Sequence, residues 1–158
     1  MREIRIALYK WRKTFFSKLI HWKQKRKFPN KYAIYTHSEL VFGELSFSSS
    51  EVDNGTRIKK ILFKNENWDF ITIKLEQEEY KDVLGFCMER IWKPYNWYWI
   101  FFAQILNFNL KGNDTRFCSE ICTEALQQAS ILCGVSAVFV EPAELCYRLL
   151  EEWYKITK

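Results

Sequence analysis

The stretch "KYAIYTHSELVFGELSFSSS", residues 31–50, sets the fold class. Residues 31–42 have the aromatic and β-branched content of a strand, Gly43 and Glu44 turn the chain back, and "LSFSSS" returns, so the stretch reads as a β-hairpin. Side chains alternate along a strand, which puts His37, Glu39 and Val41 on one face and Ser38 and Leu40 on the other. Pairing about Gly43 brings Ser48 or Ser49 opposite the His37 region. Downstream, "EVDNG" carries an Asn54-Gly55 turn signal, and "TRIKKILF" (56–63) and "WDFITIKL" (68–75) supply two more strands, the second with Ile71, Ile73 and Leu75 on one face. Upstream, "EIRIALY" (3–9) alternates Ile4, Ile6 and Leu8 against Arg5, Ala7 and Tyr9, the period of a half-buried strand. The expectation is a small antiparallel sheet.

Outside this block the period changes to 3.6. Phe15, Phe16, Leu19, Ile20 and Trp22 form the inward stripe of a basic amphipathic helix that Pro29 and Asn30 end. On that helix His21, among Trp22, Lys23 and Lys25, is expected to face solvent. From Gln77, the residues Tyr80, Val83, Leu84, Cys87 and Ile91 line a second helix that stops before Lys93 and Pro94. Residues 97–108 are apolar nearly all round and read as a buried helix. Another helix begins near Cys118, with Ile121, Cys122, Ala125, Leu126, Ala129 and Leu132 inward, and a last one at Pro142 with Leu145, Leu149 and Trp153 in line. Strands gathered in one block with helices around them make the class α+β.

A chain of 158 residues, 48% hydrophobic and 18% aromatic, fits one domain over 1–158. Residues 1–30 form its basic strand-helix segment. The net charge of +5 is uneven: residues 1–31 hold eleven Lys or Arg against Glu3 alone, so the remainder is net negative by five. Such an end reads as a solvated helix face whose lysine stems cover aromatics, or as a surface for an anionic polymer or membrane. Nucleic-acid binding is disfavoured, because the aromatics interleaved with these charges sit at core spacing. Five cysteines without regular spacing, and an amino terminus with charges scattered where a signal peptide needs an apolar run, lead us to expect reduced thiols and synthesis in a cytoplasm. The longest nearly uncharged run, broken by Asn96, Gln104, Asn107 and Asn109, is too short in its apolar part for a membrane span.

The chemistry centres on "RFCSEICTEAL" (116–126), where a polar loop gives way to a helical pattern at Cys118. In a helix's first turn the unpaired N–H groups and the dipole favour a thiolate, and the same N–H groups can serve an oxyanion. A buried apolar filler is the competing reading of this cysteine. Of the two histidines, His37 shares a strand face with Glu39, as a base with its orienter would. A zinc site from Cys118, Cys122, Cys133 and His37 lacks knuckle spacing. No metal or other cofactor is expected, and Cys87, Cys122, Cys133 and Cys146 read as small apolar fillers.

"YTHSELVFGELSFSSSEVDNGTRIKKILF", "WDFITIKL", "KPYNW" and "RFCSEICTEAL" together resemble the circularly permuted NlpC-type papain-like cysteine hydrolases, in particular the YiiX-like branch frequent in bacteria and their phages. The likeness runs over 4–149, and the permuted order, histidine strand before cysteine helix, is the order here. It implies Cys118 as nucleophile, His37 as base, and Glu39 or, on the next strand, Ser49 as the third group. It also implies substrate contacts at Tyr95 and Trp97 in "PYNW", where Asn96 departs from an expected aspartate, and a last helix opening at "EPAEL". The implied function is thiol hydrolysis of amides, with cell-wall peptides as the substrate class. Lipid acyl-ester chemistry and a non-catalytic binding or virion-associated module are the alternatives that the same likeness carries.

Overall fold

Strand β1 (Arg2–Lys10) lies inside a six-stranded sheet of order β4-β3-β2-β1-β5-β6, with every neighbouring pair antiparallel. Its partners are β2 (Tyr35–Phe42) and β5 (Trp68–Leu75), and the sheet continues through β3 (Leu45–Ser50) and β4 (Gly55–Lys60) on one side and β6 (Ile156–Thr157) on the other. The structure is a computed structural model that describes residues 1–10, 15–50, 52–91, 117–138, 140–152 and 154–157, and at 15 and 16 the backbone alone. The segments predicted at 94–97 and 97–108, with Tyr95 and Trp97, lie outside the described residues, as does Trp153.

Alternation divides the sheet into two unlike faces. Ile4, Ile6, Leu8, Leu40, Phe42, Phe47, Ile71, Ile73 and Leu75 make one core with the helices, and each such aliphatic side chain contributes about 1.5–3 kcal/mol by leaving water. Against them pack α3 (Gln77–Glu89) through Val83 and Cys87, α4 (Cys118–Gln127) through Ile121, Cys122, Ala125 and Leu126, and α5 (Pro142–Glu151) through Leu145, Cys146 and Leu149. The other face carries Ala7, Tyr9, Val41, Trp68 and Phe70, with Phe63 against them. The class is α+β. Among the described residues no helix is long and apolar enough to cross a membrane.

Several boundaries differ from the sequence reading, each for a local reason. Residues 31–33 belong to a single turn, α2 (Asn30–Ala33), because the N–H groups of Tyr32 and Ala33 both reach the Pro29 carbonyl, at 2.9 and 3.1 Å. Strand β4 ends at Lys60 rather than near 63, and Phe63 instead sets its ring against Trp68 and Phe70, with centroids 4.9 and 5.4 Å away. Helix α4 stops at Gln127 rather than near 132, because Ser130 and Leu132 adopt left-handed φ of 59°. Gln127 Nε2 then donates to the Leu132 and Val135 carbonyls, so Leu132 is buried without being helical. On α1 (Phe15–Gln24), Trp22 is not inward but 54% exposed, with the Arg26 guanidinium 3.7 Å above its ring. His21, expected in solvent, is half-buried, its Nδ1 2.7 Å from the Ala33 carbonyl oxygen.

Two irregularities of β2 prepare the site. Tyr9 pairs with His37 but Lys10 with Tyr35, so Thr36 is an extra residue, a bulge beside the histidine. The β2–β3 ladder covers Leu40, Val41 and Phe42, whereas β3 stays paired with β4 as far as Ser50. Beyond Leu40 the two strands therefore leave a seam.

Candidate active site

Helix α4 begins directly beneath that seam. Phe117 is extended (φ −70°, ψ 160°) before it, and its N–H donates to Glu120 Oε2 at 3.0 Å, as a residue in the third helical position can arrange. Ser119 Oγ donates to the Val140 carbonyl at 2.6 Å, tying the helix start to the segment before α5. One turn on, Cys122 Sγ accepts the Ser38 hydroxyl at 3.8 Å. These contacts seat Cys118, in the first helical position, against β2. Its sulfur lies beside His37 and Ser38, near enough for both to favour its thiolate. Ser38's carbonyl, on the same seam, accepts from Ser48 Oγ at 2.7 Å. Bulge, seam and helix end thus bring together two residues 81 positions apart in sequence.

His37 turns Nε2 to Glu39 Oε1, 2.7 Å away, while Trp68 packs edge-on at 6.3 Å between ring centroids. With Nε2 so engaged, Nδ1 is the ring nitrogen left for the sulfur. The ring keeps 26% of its surface exposed, whereas the Glu39 side chain keeps 1%. A carboxylate buried that deeply is tolerated only when its oxygens are saturated by donors. Arg57 reaches both of them, Nη1 to Oε2 and Nη2 to Oε1, each at 2.6 Å, and Ser46 Oγ donates to Oε2 at 2.7 Å. Arg57 is held in turn by Asp53, Nε to Oδ2 at 2.8 Å, and Asp53 also accepts from Lys59 Nζ.

The proton affinities follow from this chain of charges. Burial works against ionised Glu39, but hydrogen bonds from Arg57 and His37 overcome it and hold the carboxyl down to about 2. Burial also works against the imidazolium, yet the Cys118 thiolate beside it and then Glu39 raise His37 to about 10. Cys118 moves the other way: burial opposes its thiolate, and the His37 imidazolium, with Ser38, brings the thiol below its ordinary value. Burial is the largest cause for the other buried thiols, pushing Cys122 and Cys87 well up and Cys146 up to about 12. Among the buried cysteines, Cys118 is the one held toward its nucleophilic form.

Of the two groups expected to orient His37, Glu39 is in place. Ser49 alternates with Ser46 and Ser48, so it takes the Phe47 and Leu40 side of the sheet, the side opposite Glu39, and it pairs with Thr56. Ser46 and Ser48 take the polar positions of "SFSSS" at the site. Cys133, expected as a buried filler, is exposed in the turn after α4. Among the described residues no three His, Cys, Asp or Glu side chains group as a metal site would need. Arg57, Ser46 and Asp53 went unread in the sequence, although folding 45–60 about Asn54 and Gly55 puts Arg57 opposite Ser48, on the Glu39 side. The chain matches no protein-family model, no curated protein and no solved structure.

Proposed function

We propose that the protein is a thiol hydrolase acting on amides, cell-wall peptides being the substrate class, as a permuted NlpC-type papain-like enzyme would be. The observation that carries the reading is the juxtaposition of Cys118 and His37 at the start of α4, with His37 backed by Glu39. The Cys118 thiolate attacks the substrate carbonyl carbon, and the carbonyl electron pair moves to oxygen. Backbone N–H groups in the first turn of α4, which have no helical carbonyl to bond, stabilise that oxyanion. As the oxyanion collapses, the C–N bond breaks and the His37 imidazolium gives its Nδ1 proton to the leaving amine. A water molecule, deprotonated by the now neutral His37, then attacks the thioester carbonyl. The C–S bond breaks, and the carboxylic acid departs with the thiolate–imidazolium pair restored.

The reading places Tyr95 and Trp97 at the substrate and the basic amino-terminal segment against an anionic polymer or membrane. A second reading, acyl-ester hydrolysis or transfer at a lipid surface, draws on the exposed pair of Trp22 on α1 and Arg26 just beyond it. Peptidoglycan fragments against fluorogenic acyl esters separate the two. In the test, Cys118→Ala and His37→Ala each abolish turnover, and the double variant is little worse than either single one, because a nucleophile and its base act as a unit. Melting temperatures stay within a few degrees of the parent. Unchanged turnover in Cys118→Ala would return this cysteine to the core. Absence of turnover on either substrate class in the parent chain would leave a binding or virion-associated module.

A further inference from the structure

We propose that Arg57 is a positioning residue of the cysteine–histidine pair: by gripping both oxygens of Glu39 it holds that carboxylate as an oriented acceptor, and so decides which ring nitrogen of His37 faces Cys118. The proposal rests on the hydrolase reading for its purpose but not for its measurement. The geometry is a two-armed clamp with no slack. The Arg57 guanidinium meets Oε1 and Oε2 at 2.6 Å each, Oε1 is shared with His37 Nε2, and Oε2 is shared with Ser46 Oγ. Arg57 is itself buried and is anchored from behind by Asp53, at the turn that precedes β4.

Three consequences follow from this arrangement. An ionised carboxylate can only accept, so the nitrogen it faces must carry a proton in every charge state of the ring. The Nε2–H tautomer is therefore fixed, and Nδ1 is the atom that exchanges a proton with the sulfur. A fork also fixes the plane of the carboxylate, which a single ammonium cannot do. The clamp finally keeps the anion from taking the proton of the ring it supports. The titratable and charged groups around the pair are Glu39 on β2, Tyr9 across from His37 on β1, Arg57 on β4, Asp53 and Lys59 behind it, and Cys122 on α4, while Glu120, at the start of the same helix, is turned to the Phe117 N–H. From β3 come the hydroxyls of Ser46 and Ser48.

The experiment titrates the thiolate without any substrate, in the full chain with the exposed Cys133 replaced by serine. Thiolate absorbance and the iodoacetamide rate at Cys118 are followed against pH in the parent, Arg57→Met and Arg57→Lys, with Cys118→Ser as the blank. The expected result is an acid limb moved up by about one unit in Arg57→Met, the low end of what one neighbouring charge does, and by about half of that in Arg57→Lys. Below the limb this is about a tenfold and about a threefold loss of alkylation rate. A merely structural arginine would change the melting temperature and leave the limb where it was. If Arg57→Met does not fold, Arg57→Lys carries the test alone. A variant folded by circular dichroism that titrates as the parent does overturns the proposal. Failure of the hydrolase reading looks different: the parent turns over nothing, while its thiolate limb still depends on Arg57.

Discussion

Glu39 accepts four hydrogen bonds, from His37, Ser46 and the two arms of Arg57, with its own side chain buried from water, and that saturation has a measurable cost in acid. Its carboxyl falls from 4.5 in the unfolded chain to about 2 in the fold. Between those values the unfolded chain binds a proton that the folded one does not, so the stability contributed by Glu39 is complete above 4.5 and lost as the pH falls through about 2. We expect the melting temperature of the parent to fall steeply over that window and that of Glu39→Gln, which cannot titrate, to fall less. Equal slopes in the two proteins would remove Glu39 from the linkage. This residue, with His37, was legible in the sequence because alternation along one strand decides a shared face. Arg57 was not: a single arginine in "TRIKK" looks like any charged strand residue until the hairpin register sets it across from Ser48.

At the scale of elements, one buried glutamine joins the amino-terminal segment to the rest. Gln24, at the end of α1, donates from Nε2 to the Tyr35 carbonyl at 2.8 Å and the Ala33 carbonyl at 3.3 Å, and its Oε1 accepts the Ala143 N–H at 2.8 Å. It thus fastens α1 to the start of β2 and to the first turn of α5, where one orphan N–H needs an acceptor. Gln24→Leu keeps much of the volume and strands the Tyr35 carbonyl and the Ala143 N–H, each costing about 1–3 kcal/mol when left unpaired, while the Ala33 carbonyl keeps His21. A loss of about 2–4 kcal/mol in urea unfolding is expected, and a loss under 0.5 kcal/mol would show that water or a shift of α1 satisfies them. The strands were readable because Ile4, Ile6, Leu8 and Ile71, Ile73, Leu75 alternate cleanly over one buried face. Element ends were less so. The Pro29 carbonyl draws 31–33 into a turn, and the left-handed Ser130 and Leu132 end α4, since a serine or a leucine, unlike glycine or asparagine, gives no warning of a positive φ.

Over the whole molecule the charge is lopsided, and the fold fixes where the basic end points. Of the eleven cations in residues 1–31, Lys23 and Lys27 lean on the buried Glu141 at 3.2 and 3.6 Å, while Lys18, Lys25 and Arg26 are exposed on or just beyond α1. Beside them Trp22 holds its ring to solvent under the Arg26 guanidinium, an arrangement that leaves an apolar surface and a cation side by side. Anionic lipid attracts each such cation by about 1 kcal/mol, and an interfacial tryptophan adds apolar contact that salt does not screen. We therefore expect the protein to sediment with phosphatidylserine-containing vesicles at about 10 mM salt and to leave them near 0.15 M, as the screening length shrinks from about 30 Å to about 8 Å. Phosphatidylcholine vesicles should bind little at either concentration. Charge reversal at Lys18, Lys25 and Arg26 should abolish the low-salt binding, and Trp22→Ala should weaken it several-fold with its salt dependence intact. Each of these changes lies on an exposed surface and should leave the melting temperature within a few degrees. Lack of binding at low salt would make the basic face of α1 a solvated surface and nothing more. Binding that Trp22→Ala does not weaken would make the attraction one of charge alone, to which any anionic polymer is an equal partner.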